Sequence, residues 1–174
     1  MLADSGVTEL VLVAQDTTRY GEDLYGENRF PQLIRALSKL ENIGSIRLLY
    51  CYPDAFSDAL IEEIKTNEKV IKYADIPLQH SENRILKLMN RRGTREEYLA
   101  LIKKLKKEIP GVALRSTFIS GFPSETEEEY EAMKAFLKET ELFNCGFFAY
   151  SREPDTAAEK MPGQVHYKTK ERRV

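Results

Sequence analysis

The sequence predicts an α/β fold: a partial (β/α) TIM-type barrel with parallel strands, incomplete at its N-terminal strand. Three observations predict it. Short β-rich runs alternate strictly with longer runs of helical period, and that alternation builds a parallel sheet with right-handed crossovers. Polar or special residues follow every strand candidate: Gln15-Asp16, Tyr52-Pro53, Gln79-His80, Ser120-Gly121 and Ser151-Arg152. A doubly wound open sheet needs such residues at one switch point only, whereas a barrel brings all its strand ends to one rim. There are also only five such βα units, too few to close a barrel.

The elements follow in order. The opening LADSGVTEL reads as the last turn of a helix stopped by Gly6 and followed at once by a strand. A helix that short is a poor beginning, so the expectation is a fragment, cut inside the first helix of a longer enzyme. Strand candidates are ELVLVA (9–14), SIRLLY (45–50), IKYADI (71–76), VALRSTFI (112–119) and CGFFAY (145–150). Between them FPQLIRALSKL, SDALIEEIKT, ENRILKLMN, REEYLALIKKLKKEI and ETEEEYEAMKAFLKET carry apolar residues at i, i+3, i+4 and i+7, the period of an amphipathic helix. Ser57 and Thr94 are N-cap types with acids in the first turns, and Pro110-Gly111 ends a helix.

Composition narrows the class. With 174 residues, 42% apolar and 31% charged, the chain is a globular domain with enough length for a sizeable core. No apolar run reaches the roughly 20 residues that span a bilayer, and the N-terminus lacks a signal peptide's pattern. Cytoplasmic residence without membrane attachment is expected. A net charge of −2 gives no basic surface for nucleic acid. KKLKK (103–107) reads as a solvated helix face, and KTKERR (168–173) as the start of a helix. Cys51 and Cys145 are the only cysteines; neither lies in a CxxC motif, and two cysteines cannot make a four-ligand thiolate site. Both are expected to be buried packing residues, and no metal ligand is assigned.

Three loops carry candidate chemistry. After the first strand, QDTTRYGEDLYG gathers Gln15, Asp16, Thr17 and Thr18, as either an Asx-type turn or a polar site. In ADIPLQHSENRILKLMNRRG, Asp75, Gln79 and His80 flank Pro77. His80 is either an acid–base group or a structural residue at a helix start, and Arg91-Arg92 either offset a helix dipole or bind an anion. In STFISGFPSETEEEY the acids suit a helix start and the loop lacks the pattern of a phosphate loop. Gly121, without a Cβ, would admit a neutral adenine-like or ribose-like ligand. Arg115, if it points inward, needs an anionic partner.

Taken together, LVAQDTTRYGEDLYG, IRLLYCYP, DIPLQH, MNRRGT, RSTFISGFPSETEEEY and FFAYSREPDTAA resemble the radical S-adenosylmethionine (SAM) methylthiotransferases, in order and over almost the whole chain. QDTTRYGEDLYG and DIPLQH resemble the branch that modifies an aspartate of a small-subunit ribosomal protein. The tRNA-modifying branch is the alternative, beside a non-catalytic SAM-binding or structural fragment. The resemblance implies a first strand followed by a CxxxCxxC loop whose thiolates hold a 4Fe-4S cluster that binds SAM and cleaves it reductively. It also implies an N-terminal methylthiotransferase domain with a second cluster and a C-terminal TRAM domain. Residues 1–174 would be the core barrel fragment without those parts and without the cluster ligands. Without that cluster the fragment by itself is expected to be inactive. Open barrel edges would let it self-associate.

Carried onto this chain, the resemblance places Gln15 and Asp16 at the SAM rim and Gln79 along the pocket. Arg115 becomes a candidate partner for the SAM carboxylate. Gly121 to Glu125 matches the family's GFPGE beside the adenosine, and Tyr150 matches the end of the last strand. Catalytic residues stay unassigned. Ser124 stands where the family usually has glycine; a positive φ there would be costly for serine.

Overall fold

The computed structural model describes residues 3–174. A single 3-10 turn at Ala3–Ser5 ends at Gly6; Leu2, part of the expected helix end, lies outside the described residues. The elements then alternate as the periodicity requires: β1 (Glu9–Leu12), α1 (Glu22–Tyr25), α2 (Phe30–Ser38), β2 (Ser45–Leu48), α3 (Asp58–Thr66), β3 (Tyr73–Asp75), α4 (Asn83–Leu88), α5 (Arg95–Glu108), β4 (Ala113–Ser120), α6 (Glu127–Thr140), β5 (Asn144–Ala149) and α7 (Tyr167–Arg173). β1, β2 and β3 are shorter than their apolar runs suggest, while β4 and β5 keep the expected length, each shifted by one residue.

Two compact units are formed. The first comprises the chain up to Pro77 with Leu101–Arg115; the second comprises Leu78–Ala100 with Ser116–Val174. In the first, β1 and β2 pair in parallel from Glu9↔Ser45 to Leu12↔Leu48. The start of β4 pairs in parallel with β3, from Tyr73↔Ala113 to Asp75↔Arg115. Its core is aliphatic: Ile34, Ile46, Leu48, Ile61 and Ile64 are buried. Ser57 caps α3 by accepting the Leu60 N–H, as its residue type suggested.

The second unit is organised around Phe118. Its ring meets Phe136 edge-on at 6.4 Å and stacks on Phe147 at 5.8 Å. Burying one such ring contributes about 1.5–3 kcal/mol. Along β4, Leu114, Ser116, Phe118 and Ser120 are buried, while Arg115, Thr117 and Ile119 on the other face are half-buried, the period of a strand lined on two sides. Thr94 and Glu97 close a capping pair at the start of α5. Thr126 and Glu129 form a full capping box on α6.

Two sequence expectations are corrected here. Cys51 is buried, but Cys145 is only half-buried, because it sits on β5, a strand with no fully buried residue. Glu125 was read as one of the acids of a helix start; α6 begins two residues later, at Glu127, and Glu125 is buried in the loop ahead of it.

Candidate functional site

The strand ends of each unit hold the residues singled out by sequence. In the first unit, Asp16 closes a local turn: its Oδ1 accepts the Thr18 N–H at 3.0 Å and the Thr18 hydroxyl, and its Oδ2 lies 3.1 Å from Arg19 Nε. Thr17 and Thr18 tie this loop to the end of β2. Thr17 Oγ1 donates to the Leu49 carbonyl at 2.7 Å, and Thr18 Oγ1 accepts the Tyr52 N–H at 3.1 Å. The Asx-turn reading thus describes what the Asp16 side chain does, while Gln15 is exposed.

Arg115 has the anionic partner it required, and that partner is Asp75. Arg115 Nη1 donates to Asp75 Oδ1 at 2.7 Å, which holds the guanidinium more firmly protonated than usual. Asp75 is buried and also accepts the Tyr50 N–H at 3.3 Å. Tyr50 is in the left-handed region at φ 54°, which turns its N–H inward at a cost of about 1 kcal/mol or more.

In the second unit the Gly121–Glu125 loop is built around one carboxylate. Glu125 Oε2 accepts the Gly121 N–H at 2.8 Å, and Oε1 accepts from Arg173 Nη1 at 2.6 Å. His80 Nε2 lies 3.4 Å from Oε2, with both side chains fully buried. His80 Nδ1 accepts the Glu82 N–H at 3.0 Å, so the ring hydrogen sits on Nε2, facing the carboxylate. His80 thus bonds the Glu82 N–H just ahead of α4 and lies beside a buried carboxylate.

The loop bends through two left-handed residues, Gly121 at φ 74° and Ser124 at φ 65°. Ser124 thus adopts the conformation the family's glycine would favour. Its N–H donates to the Gly163 carbonyl at 2.7 Å, and Arg84 Nη2 donates to its carbonyl at 2.8 Å. A Cβ on Gly121 would collide with Lys170 Cγ, so the open face glycine creates is filled by a lysine stem.

Tyr150 joins this group: its N–H donates to the Ser120 carbonyl at 2.9 Å and its ring meets Phe122 edge-on at 5.3 Å. Gln79, at φ 71°, exchanges backbone hydrogen bonds with Thr117 and Ile119. It lines a cleft of about 410 Å³ with Ile119, Phe122, Asn90 and Met161, a volume in the range of small-ligand pockets. The fold thus brings Gln79, Gly121, Glu125 and Tyr150 into one unit. Asp16 and Arg115 are built into separate hydrogen-bonded groups of the other.

Sequence reasoning did not find Arg173, which lies 48 positions from Glu125, nor the role of Gly163. No local pattern announces either. The described residues do not fit an iron–sulfur cluster. The cysteines fall in different units, and burial pushes the Cys51 thiol up to about 12, away from the thiolate a metal needs. Among the described residues no helix is long and apolar enough to cross a membrane.

Comparison with known proteins matches residues 2–137 to the radical SAM superfamily. The chain is 53% identical over 173 residues to the ribosomal protein uS12 methylthiotransferase RimO of Clostridium novyi (strain NT). It is 52% identical over 172 residues to the protein of that name from Clostridium botulinum (strain Eklund 17B / Type B). Each alignment covers 99% of this chain and 39% of the relative, so the chain spans about two fifths of the length of the curated relatives it matches. Among solved structures, coproporphyrinogen III oxidase (HemN) from Escherichia coli, a radical SAM enzyme, superposes with a TM-score of 0.67 at 18% identity, over 83% of this chain and 35% of that one. The radical SAM methyltransferase TsrM from Kitasatospora setae, with cobalamin and a [4Fe-4S] cluster bound, gives 0.65 at 17% identity, over 87% and 29%. At such identities the likeness carries the fold, a partial barrel of parallel strands.

Proposed function

The chain belongs to the radical SAM superfamily, and from that premise we propose that it is the barrel part of a methylthiotransferase acting on ribosomal protein uS12 in the cytoplasm. The observation that carries this reading is identity of about one half, over 99% of the chain, to proteins named for that activity. The relatives that support it are named for a ribosomal protein, which favours that substrate over tRNA.

The reading assigns SAM to the strand ends. The cleft beside Gln79, walled by Ile119, Phe122 and Met161, suits the adenosyl group, with the Gly121–Glu125 loop as its border. When bound, SAM with a reduced cluster supplies a carbon-centred radical. This chain's part is to bind and orient: Gln79 offers a carboxamide to a purine edge, and Phe122, packed on Tyr150, offers an apolar face. In the other unit, taken by itself, Asp16 and Arg115 are proposed as polar candidates for a ligand, Arg115 being already paired with Asp75. Cluster ligation is not supplied by these residues.

The test is the reaction itself. The full-length protein, reconstituted anaerobically with iron and sulfide, is incubated with SAM, a reductant and either uS12 or tRNA. The expected result is that uS12 gains the mass of one methylthio group and tRNA gains none. A gain on tRNA alone, or on neither, would reject the reading.

A further inference from the structure

The Gly121–Glu125 loop does not hold its own shape. Two of its five residues are left-handed, and for Ser124 that conformation costs about 1 kcal/mol. Such a loop persists only where its surroundings over-determine it. Arg84 holds the Ser124 carbonyl, and the segment 163–173 adds three further contacts. The Gly163 carbonyl accepts the Ser124 N–H at 2.7 Å, and a side chain on Gly163 would meet Ser124 Cβ at 3.1 Å. The Lys170 stem covers Gly121, while its Nζ donates to the Tyr150 carbonyl at 2.8 Å. Arg173 donates to Glu125 at 2.6 Å and to Glu127 at 2.7 Å, and its guanidinium lies 5.1 Å from the Tyr130 ring centre.

The third contact governs the loop. Glu125 is the group that orients the Gly121 N–H. A buried carboxylate needs a cation or it loses its charge. His80 Nε2 lies 3.4 Å from Oε2 without forming a hydrogen bond, while its Nδ1 accepts the Glu82 N–H. Arg173, only 4% exposed, is the cation. Without it, Glu125 is an uncompensated buried charge, and the Gly121 bond depends on a carboxylate with reason to move.

We propose that Arg173 is a positioning residue, and that α7 is a clasp that sets the Gly121–Glu125 loop for the ligand it borders. The second half of this statement rests on the adenosyl reading above; the first half does not.

The experiment separates them. In the full-length protein, amide hydrogen exchange is followed at Gly121 and at Phe118 in Arg173→Ala, Arg173→Met, Arg173→Lys and Arg172→Ala, and SAM affinity is measured by equilibrium dialysis. Arg172 touches Glu127 and not Glu125, and is the control. Expected is exchange at Gly121 about tenfold faster in Arg173→Ala and Arg173→Met, with Phe118 unchanged. Arg173→Lys should fall between these and wild type, and Arg172→Ala should stay within about twofold of wild type. Arg173→Met keeps the stem's packing and carries the test if Arg173→Ala does not fold. Unchanged exchange at Gly121 in either variant overturns the clasp. Faster exchange with SAM affinity weakened about tenfold supports both halves. Faster exchange with unchanged affinity, or no SAM binding by wild type, keeps the clasp and overturns the adenosyl reading.

Discussion

Ser124 is a serine in a glycine conformation, and its neighbours show what keeps it there. The backbone N–H goes to Gly163 and the carbonyl to Arg84 Nη2; both bonds are made by main-chain atoms that any residue has. The hydroxyl adds only a 3.3 Å contact from Arg84 Nη1, at an exposed site. Ser124→Gly therefore removes the left-handed strain and loses little else. It should stabilise the protein by about 1 kcal/mol, read as a rise in thermal midpoint of roughly 2–4 °C; a fall would mean that the hydroxyl matters more than the backbone. The risk at Ser124 was legible through the family resemblance, which puts a glycine at that position. The charge on Glu125 was not. Its neighbours Glu127 and Glu128 do behave as helix-start acids, and nothing local separates the one buried carboxylate from them. What separates it is Arg173, 48 residues on, and single-sequence reasoning has no access to a pairing at that range. Arg115 shows the same limit: a need for an anion could be read, but not that Asp75 from the adjacent strand meets it.

Elements were legible where caps and period agree. Ser57 and Thr94, the N-cap types in the sequence, lie at helix starts with their side chains or partners in capping positions; Thr126, placed by the sequence inside its helix, caps α6. The α6 start is the strongest of these. Thr126 Oγ1 accepts the Glu129 N–H at 3.2 Å, and Glu129 Oε2 accepts the Thr126 N–H at 2.9 Å. Glu129 then also takes Arg84, with Nε to Oε1 at 2.7 Å. Partial burial works against this carboxylate's charge, but Arg84 and the Thr126 N–H prevail and hold it below the usual carboxylate range. Thr126→Ala removes one half of the box and should cost about 1 kcal/mol, within the 0.5–2 kcal/mol typical of caps. Urea denaturation followed by circular dichroism measures it. A Thr126→Ser variant, which keeps the hydroxyl, should recover most of the loss; no recovery would assign the cost to the lost methyl group instead. Strand ends were read less well than helix starts. A strand stops where its hydrogen-bond partner stops, and partners lie far away in sequence.

At the scale of the whole chain, strict alternation was enough to predict parallel pairing, which β1–β2 and β3–β4 display. The division into two units was not legible: it falls after Pro77 and also inside α5 and inside β4, and within those two elements neither period nor composition changes. One buried group ties overall stability to pH. Cys51 is fully buried on the loop after β2, with Thr17 Oγ1 at 3.7 Å from its sulfur. Burial pushes its thiol from 9.0 to about 12, and the Thr17 contact offsets only part of that. The folded state therefore keeps the proton after the unfolded chain has lost it. A raised acid of this kind leaves stability unchanged below the unfolded value and drains it as pH rises between the two, by about 1.4 kcal/mol per pH unit. Urea midpoints at about pH 8 and about pH 10.5 should thus differ more in wild type than in Cys51→Ala. The substitution lowers both midpoints through its cavity but removes the thiol's share of the slope. Equal slopes would mean that the Cys51 thiolate is accommodated in the fold, and the site would then have to offer it a donor that Thr17 alone does not supply.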